Sequence, residues 1–404
     1  MTADARRIVA AQAARAFAYG LGAVLLGATM NELGFDTVEV GLVLGSVLAG
    51  TVIASLLVAG FGDRIGRRRC YAVLYGALAV TGVVFAYATS VWLLIAVSLL
   101  GALSTEVIES GPFTSLEQAM LAGQFEDRRV ARGFGVYNAI AAAAGSLGAL
   151  AAAALGPLRH AWSDPPSQQR FFLLLVPAAL LGIVLARCLT AAVEQQHSVR
   201  HNQSTRRVLD GPSRPIVMRL AALFSLDSFA GGFTVQAFIA YWLAQRFDAS
   251  IGVIGATFFA LGVLQTASFL SSGRLAERFG MLPTMVFTHL PSNLVLIAVA
   301  FSPTLPIAIA LLSLRTVLSQ MDVSPRQAYV MALVRPSEQT AAASVTNAAR
   351  YVTRPAGAVL AGVAQSVALG FPFVIAGTLK SIYDLTLWRW FRRVPLPEQQ
   401  EAAV

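Results

Sequence analysis

Lysine is almost missing from this chain. Lys380 is the only one, and arginine supplies the other 29 of the 30 basic residues. Charge of any kind is scarce. Only 13% of the 404 residues are charged, about half of the roughly 25% that soluble domains carry. The two cysteines, Cys70 and Cys188, offer neither a metal-ligand spacing nor a disulfide framework. No G-x-x-x-x-G-K-[ST] run is present to cradle a nucleotide phosphate, so ATP drive by this chain is not expected. These absences argue against a soluble enzyme, a disordered chain and a nucleic-acid binder. No cofactor and no metal are expected.

What is present is apolar surface. Hydrophobic residues make up 56% of the chain, and the mean hydropathy is +0.66. A water-soluble fold could not cover that much, so the chain reads as an all-α, polytopic membrane protein with lipid as its solvent. The pI near 10.1 reflects arginines gathered in short loops between apolar runs, which is a topology signal. The first apolar stretch continues to about Met30. An h-region of 7–15 residues is shorter, so this stretch reads as a first span and not as a cleaved signal.

About 20 apolar residues cross a bilayer core. Such runs fall at 8–31, 38–59, 70–89, 91–122, 134–156, 170–190, 216–244, 250–271, 281–302, 305–333, 340–367 and 371–391, which predicts twelve transmembrane helices. Pro112 and Pro325 are expected to kink spans 4 and 10. With both termini on the cytoplasmic side, 21 basic residues lie inside or at inner helix ends, three (Arg159, Arg170, Arg246) lie outside, and six fall within spans. That asymmetry sets the orientation. Short outer loops and basic character give a bacterial inner membrane as the expected location.

The longest polar stretch, 191–214, divides the chain into six spans (1–190) and six spans (215–404). His197 and His201 lie within it, four apart; with no third ligand nearby they read as part of a solvated linker. The halves repeat. An offset of 209 carries Gln118-Ala119 onto Gln327-Ala328, and Val136, Asn138, Gly148 and Ala149 onto Val345, Asn347, Gly357 and Ala358. An offset of 212 carries Phe17-Ala18 and Gly20 onto Phe229-Ala230 and Gly232. Two six-span halves related by a repeat are a transporter architecture.

Equivalent loops of the two halves carry related motifs. Gly62 to Arg69 reads G-D-R-I-G-R-R-R, and Gly273 to Gly280 reads G-R-L-A-E-R-F-G. Here the chain resembles the major facilitator superfamily, whose signature loop is G-x-L-A-D-R-x-G-R-[KR]. Asp63, Arg64, Gly66, Arg67 and Arg68 match in the first copy. Gly273, Leu275, Ala276, Arg278 and Gly280 match in the second, with Glu277 for Asp and no trailing basic pair. The resemblance implies a cytoplasmic gate in which the loop acid latches the halves near the start of span 11. The alternative is that these arginines only enforce topology. The Arg in span 4, the G-x-x-x-G-P-x-x-G-G run in span 5 and the P-E-S-P-R run after span 6 that mark subfamilies are absent.

Charges inside a bilayer cost about 2.5–3.5 kcal/mol each on insertion scales and mark function by default. In the fold this chain resembles, spans 1, 4, 7 and 10 line the cavity. They carry Arg15; Glu106, Glu109 and Glu117; Asp227; and Arg315, Asp322 and Arg326. The repeat offsets align Arg15 with Asp227, Glu106 with Arg315, and Glu117 with Arg326, each with the charge inverted. Two readings follow: opposite charges that meet across the cavity, or local salt bridges within each half. Arg350 on span 11 joins the candidate cavity. Lys380 and Asp384, an i,i+4 pair on span 12, are expected to bridge each other structurally, and His289 is expected to be a satisfied buried histidine. The resulting reading is secondary transport of a small solute by a monomer, with proton-coupled export favoured. The alternatives are uptake of a small organic anion held by Arg15, Arg315 or Arg350, and a sensor or assembly factor that kept the fold.

Overall fold

The computed structural model describes residues 2–107, 111–121, 130–160, 167–195, 213–334 and 338–394. Among them are sixteen α-helices, one continued from a short 3-10 segment, and no strand. The first three are α1 (Ala3–Glu32), α2 (Thr37–Ile65) and α3 (Arg67–Tyr87). Span 4 is split into α4 (Val91–Ser98) and α5 (Pro112–Leu121), and span 5 is α6 (Val130–His160). A 3-10 turn at Gln168–Leu174 leads into α7 (Leu175–Arg187), and the short α8 is Ala192–Gln195. Span 7 is split into α9 (Ser213–Gly232) and α10 (Gln236–Phe247). Then come α11 (Ile251–Phe279) and α12 (Met281–Ala300). Span 10 is split into α13 (Leu305–Ser319) and α14 (Val323–Ala332), and α15 (Gln339–Val367) and α16 (Phe371–Phe391) close the chain.

All twelve expected spans therefore exist as helix. Eight described segments are long and apolar enough to cross a membrane by themselves. The other four are the interrupted spans 4 and 10, and spans 11 and 12, which carry Arg350, Arg354, Lys380 and Asp384.

Local chemistry explains the ends. Asp36 and Glu39 close a capping box at the start of α2: Asp36 Oδ1 accepts from the Val38 and Glu39 amides at 2.8 Å, and Glu39 returns a bond to the Asp36 amide. Thr2 caps α1 by accepting from the Ala5 amide. The prolines act differently from the kinks expected of them. Pro112 opens α5 and Pro325 lies in the first turn of α14, where a missing N–H is harmless. The interruption precedes each of them. In the span 4 break, the freed carbonyl of Ala102 accepts from Tyr19 Oη at 2.5 Å. Non-helical backbone is tolerated at membrane depth only where such partners exist.

Glycines set how closely the helices approach. A Cβ on Gly148 of α6 would collide with the Phe17 carbonyl of α1, and one on Gly357 of α15 with the Phe229 carbonyl of α9. These two contacts are repeat equivalents, since Phe17 maps onto Phe229 and Gly148 onto Gly357. The spacing is that of small-residue helix packing in membranes.

Packing divides the chain into two compact units: Met1–Gln203 with Val235–Val263, and Ser204–Thr234 with Leu264–Val404. The boundary expected at 191–214 belongs to the sequence repeat. In packing, α10 and the first part of α11 group with spans 1 to 6. Within that unit, Gly27 of α1 lies against Ala237 and Tyr241 of α10, and Tyr241 Oη donates to the Phe35 carbonyl at 3.1 Å.

Candidate functional site

Among the described residues, each unit encloses a buried ion-pair centre. In the first, Arg15 projects from the middle of α1 and is 1% exposed. Its Nη2 lies 2.7 Å from Glu117 Oε2 on α5. Tyr71 Oη donates to Glu117 Oε1 at 2.6 Å, and Tyr137 Oη donates to Oε2. Tyr75, one turn from Tyr71, donates to the Ala11 carbonyl at 2.8 Å. The guanidinium also stands over the rings of Phe113 and Tyr19, at 4.8 and 5.3 Å from their centroids. Three donors, one of them permanently charged, thus satisfy one carboxylate, the condition under which a buried ion pair holds.

In the second unit, Asp227 of α9 accepts from Lys380 Nζ of α16 at 2.5 Å and from Arg326 Nη1 of α14 at 3.3 Å. Arg326 also reaches Asp322, 3.5 Å away at the break in span 10. Next to these lies Asp384 of α16. Both its oxygens are 3.0 Å from His289 Nδ1 of α12, and Asn293 Nδ2 donates to Oδ2 at 2.8 Å. Arg350, half-buried on α15, is close enough to act on Asp227 electrostatically, and its carbonyl accepts from Ser228 Oγ.

The two centres are the same pair of repeat positions with the charges exchanged: Arg15 with Glu117, and Asp227 with Arg326. The inversion read in the sequence takes the form of a salt bridge within each half. The expected Lys380–Asp384 bridge is corrected: Lys380 bonds Asp227, while Asp384 bonds His289 and Asn293. His289 is satisfied, as expected, but by a carboxylate. Glu106 and Arg315 are half-buried. Glu109 lies outside the described residues, as do His197 and His201.

At the loop, Gly66 and Gly280 stand at the same point of the two repeats, at φ 95° and 90° with ψ 134° and 156°. That region is essentially reserved for glycine, and it turns α2 into α3 and α11 into α12. Glu194 of α8 had not been singled out in the sequence. Its carboxylate accepts from the backbone amides of Arg67 at 2.8 Å and Arg68 at 3.1 Å, and from Arg68 Nε at 3.3 Å. A carboxylate at a helix N-terminus is favoured by the dipole. Burial pushes the Glu194 carboxyl up, but the amides of Arg68 and Arg67 and the Arg68 side chain outweigh it and hold it below its ordinary value. The buried Arg67 guanidinium donates to the Ala119 and Val193 carbonyls. Arg64, Glu277 and Arg278 are exposed, and the Asp63 side chain and the burial of Gly273 lie outside what is described.

Among the described residues no group of three or more His, Cys, Asp or Glu side chains is arranged to hold a metal ion. The missed participants, Tyr71, Tyr75, Tyr137, Asn293 and Glu194, are ordinary residues in sequence. Tyr71 and Tyr75 at i,i+4 and the lone lysine were the available signals.

The Major Facilitator Superfamily model matches residues 8–358. The uncharacterized membrane protein YJR124C of Saccharomyces cerevisiae is 25% identical over 405 residues, covering 92% of this chain and 90% of that one. A variant of the nucleoside transporter NupG superposes with a TM-score of 0.74 at 15% identity, covering 96% of this chain and 100% of that one. A D-xylose-proton symporter superposes with a TM-score of 0.72 at 16% identity, covering 97% and 98%. At such identities the two structures speak for the fold alone.

Proposed function

Because the chain belongs to the Major Facilitator Superfamily and is a multi-pass secondary transporter, not an enzyme, we propose that it exports a small solute in exchange for protons. Both termini are assigned to the cytoplasm of a bacterial inner membrane, and the transporting unit is a monomer. The observation that carries the reading is the exchanged pair, Arg15–Glu117 and Asp227–Arg326, buried on spans 1, 4, 7 and 10. Intramembrane charges of this kind mark solute and ion pathways. Three of those four spans are interrupted helices, the form that builds transporter sites near midplane.

In the second half, Asp227 is bound by cations that a solute or a helix movement can draw away. A buried acid that loses its cation gains affinity for a proton. That exchange of partners is the proposed link between the proton and the solute. Asp227 and Asp322 are the acids assigned to it, with Glu106 and Glu109 as further candidates. Arg15, Arg315, Arg326 and Arg350 are the groups assigned to hold or release an anion or a carboxylate. The loop from Asp63 to Arg68, with Gly273 to Gly280 in the second half, is assigned as the cytoplasmic gate.

The test is transport by purified protein in liposomes under an imposed pH gradient. The panel is labelled nucleosides, pentoses, organic cations and organic anions. Movement against the proton gradient supports export. Movement of an anion with protons replaces export by uptake. No movement of any solute under any gradient leaves a sensor or assembly factor.

A further inference from the structure

We propose that His289 and Asp384 form a proton-binding dyad outside spans 1, 4, 7 and 10, and that its charge decides whether Lys380 stays on Asp227 or turns to Asp384. The assignment rests on the proton-coupled reading above and adds to it a proton site that governs the partners of Asp227.

The argument starts from partners. Glu117 is held by Arg15, Asp227 by Lys380 and Arg326, and Asp322 by Arg326. Asp384 alone among these four carboxylates is held by a histidine and an amide, with no fixed cation. It is 1% exposed and His289 is 5% exposed. Histidine is the side chain whose ordinary pKa lies between pH 5 and 8. The dyad therefore has two accessible charges: zero as imidazolium and carboxylate, and minus one as neutral imidazole and carboxylate. The proton comes from and returns to water, and only an N–H bond forms or breaks.

Lys380 is the group that senses the difference. It lies one turn before Asp384 on α16, on the same face, and a lysine carries its charge on a flexible four-carbon stem. With the dyad protonated, Asp384 is neutralised and the ammonium stays 2.5 Å from Asp227. With the dyad unprotonated, Asp384 competes for Lys380, and Asp227 keeps only Arg326. The other groups around the dyad are Tyr383 on α16, which stacks edge-on against His289, Asp322 at the start of α14, and Asp227 on α9. Arg326 and Arg350 act on Asp227 from α14 and α15. Proton binding on spans 9 and 12 thereby reaches span 7, whose helix is interrupted six residues after Asp227.

Because Lys380 is the only lysine, a single labelled site reports on it. In full-length protein with 15N- and 13C-labelled lysine and histidine in nanodiscs, titrated with acid and base between pH 5 and 9, the Lys380 side-chain resonance is expected to step once. The step should share its midpoint with the His289 imidazole. His289→Gln, which keeps a hydrogen bond to Asp384, and Asp384→Asn should each abolish the step. A Lys380 resonance that is flat while His289 titrates, or a step that survives both variants, overturns the proposal; the wild-type titration decides it even if a variant does not fold. Transport that ignores the pH gradient while the Lys380 step persists would instead overturn proton coupling.

Discussion

Arg15 and Asp227 occupy the same place in the two repeats, carry opposite charges, and are each neutralised within their own half, Arg15 by Glu117 at 2.7 Å and Asp227 by Lys380 at 2.5 Å. The partner positions are inverted too, with Glu117 in one half and Arg326 in the other. The surroundings differ. Glu117 is saturated by Arg15 and two tyrosine hydroxyls, whereas Asp227 shares its two cations with a network that includes Asp322. The first centre is built to stay closed, and the second has partners to exchange.

Breaking the first centre should be costly. Glu117→Gln strands the buried Arg15 charge, and losing one member of a buried pair costs about 3–5 kcal/mol. Tyr71→Phe removes one donor to the same carboxylate and should cost about 1.5–3 kcal/mol. Thermal unfolding in detergent reads both. A double-mutant cycle with Arg15→Met should give a coupling energy well above zero; additive effects would show that the pair contributes no interaction.

Lys380 should depend on Asp227 for its place in the fold. Lys380→Met alone should destabilise by about 3–5 kcal/mol, because Asp227 loses its nearest cation. Adding Asp227→Asn should recover much of that loss, and adding Asp384→Asn should recover less. Equal rescue by the two second substitutions would mean that Lys380 is shared evenly.

Gly66 and Gly280 should tolerate no side chain. At φ near 90° with extended ψ, alanine is strained by about 1–3 kcal/mol. Gly66→Ala and Gly280→Ala should each lower the unfolding temperature, while alanine at Gly60, around which a Cβ meets nothing within 4 Å, should not.

The Glu194 cap gives a signed pH dependence. The carboxyl is held below its ordinary value in the folded protein. Its contribution is therefore complete above the unfolded pKa of about 4.3 and is lost as pH falls through the lower folded value. Glu194→Gln should be less stable than the parent at pH 7 and should approach it in acid. A stability gap that stays constant down to pH 3 would show that the cap works without its charge.

Much of the architecture could be read from the chain alone. Twelve apolar runs, the repeat offsets of 209 and 212, and the paired loop glycines all appear in the folded protein where hydropathy and spacing placed them. Each is a property of residues averaged along a span or fixed by one backbone conformation, so no knowledge of neighbours is needed. The inverted charges were visible for the same reason.

Tertiary structure decided who meets whom. Lys380 and Asp384 are one turn apart, the best ion pair that sequence spacing can offer, yet Lys380 reaches across to Asp227 and Asp384 turns to His289. Arg15 had Glu106, Glu109, Glu117 and Asp227 as candidate partners; Glu117 lies beside it because α5 restarts at Pro112 after a break whose length hydropathy does not record. Glu194 carried no signal until α8 folded back on the start of α3. Partner choice depends on helix rotation and on approach distances set by contacts such as Phe17–Gly148 and Phe229–Gly357. Those are properties of pairs of helices, and a linear pattern of hydropathy and charge holds only one helix at a time.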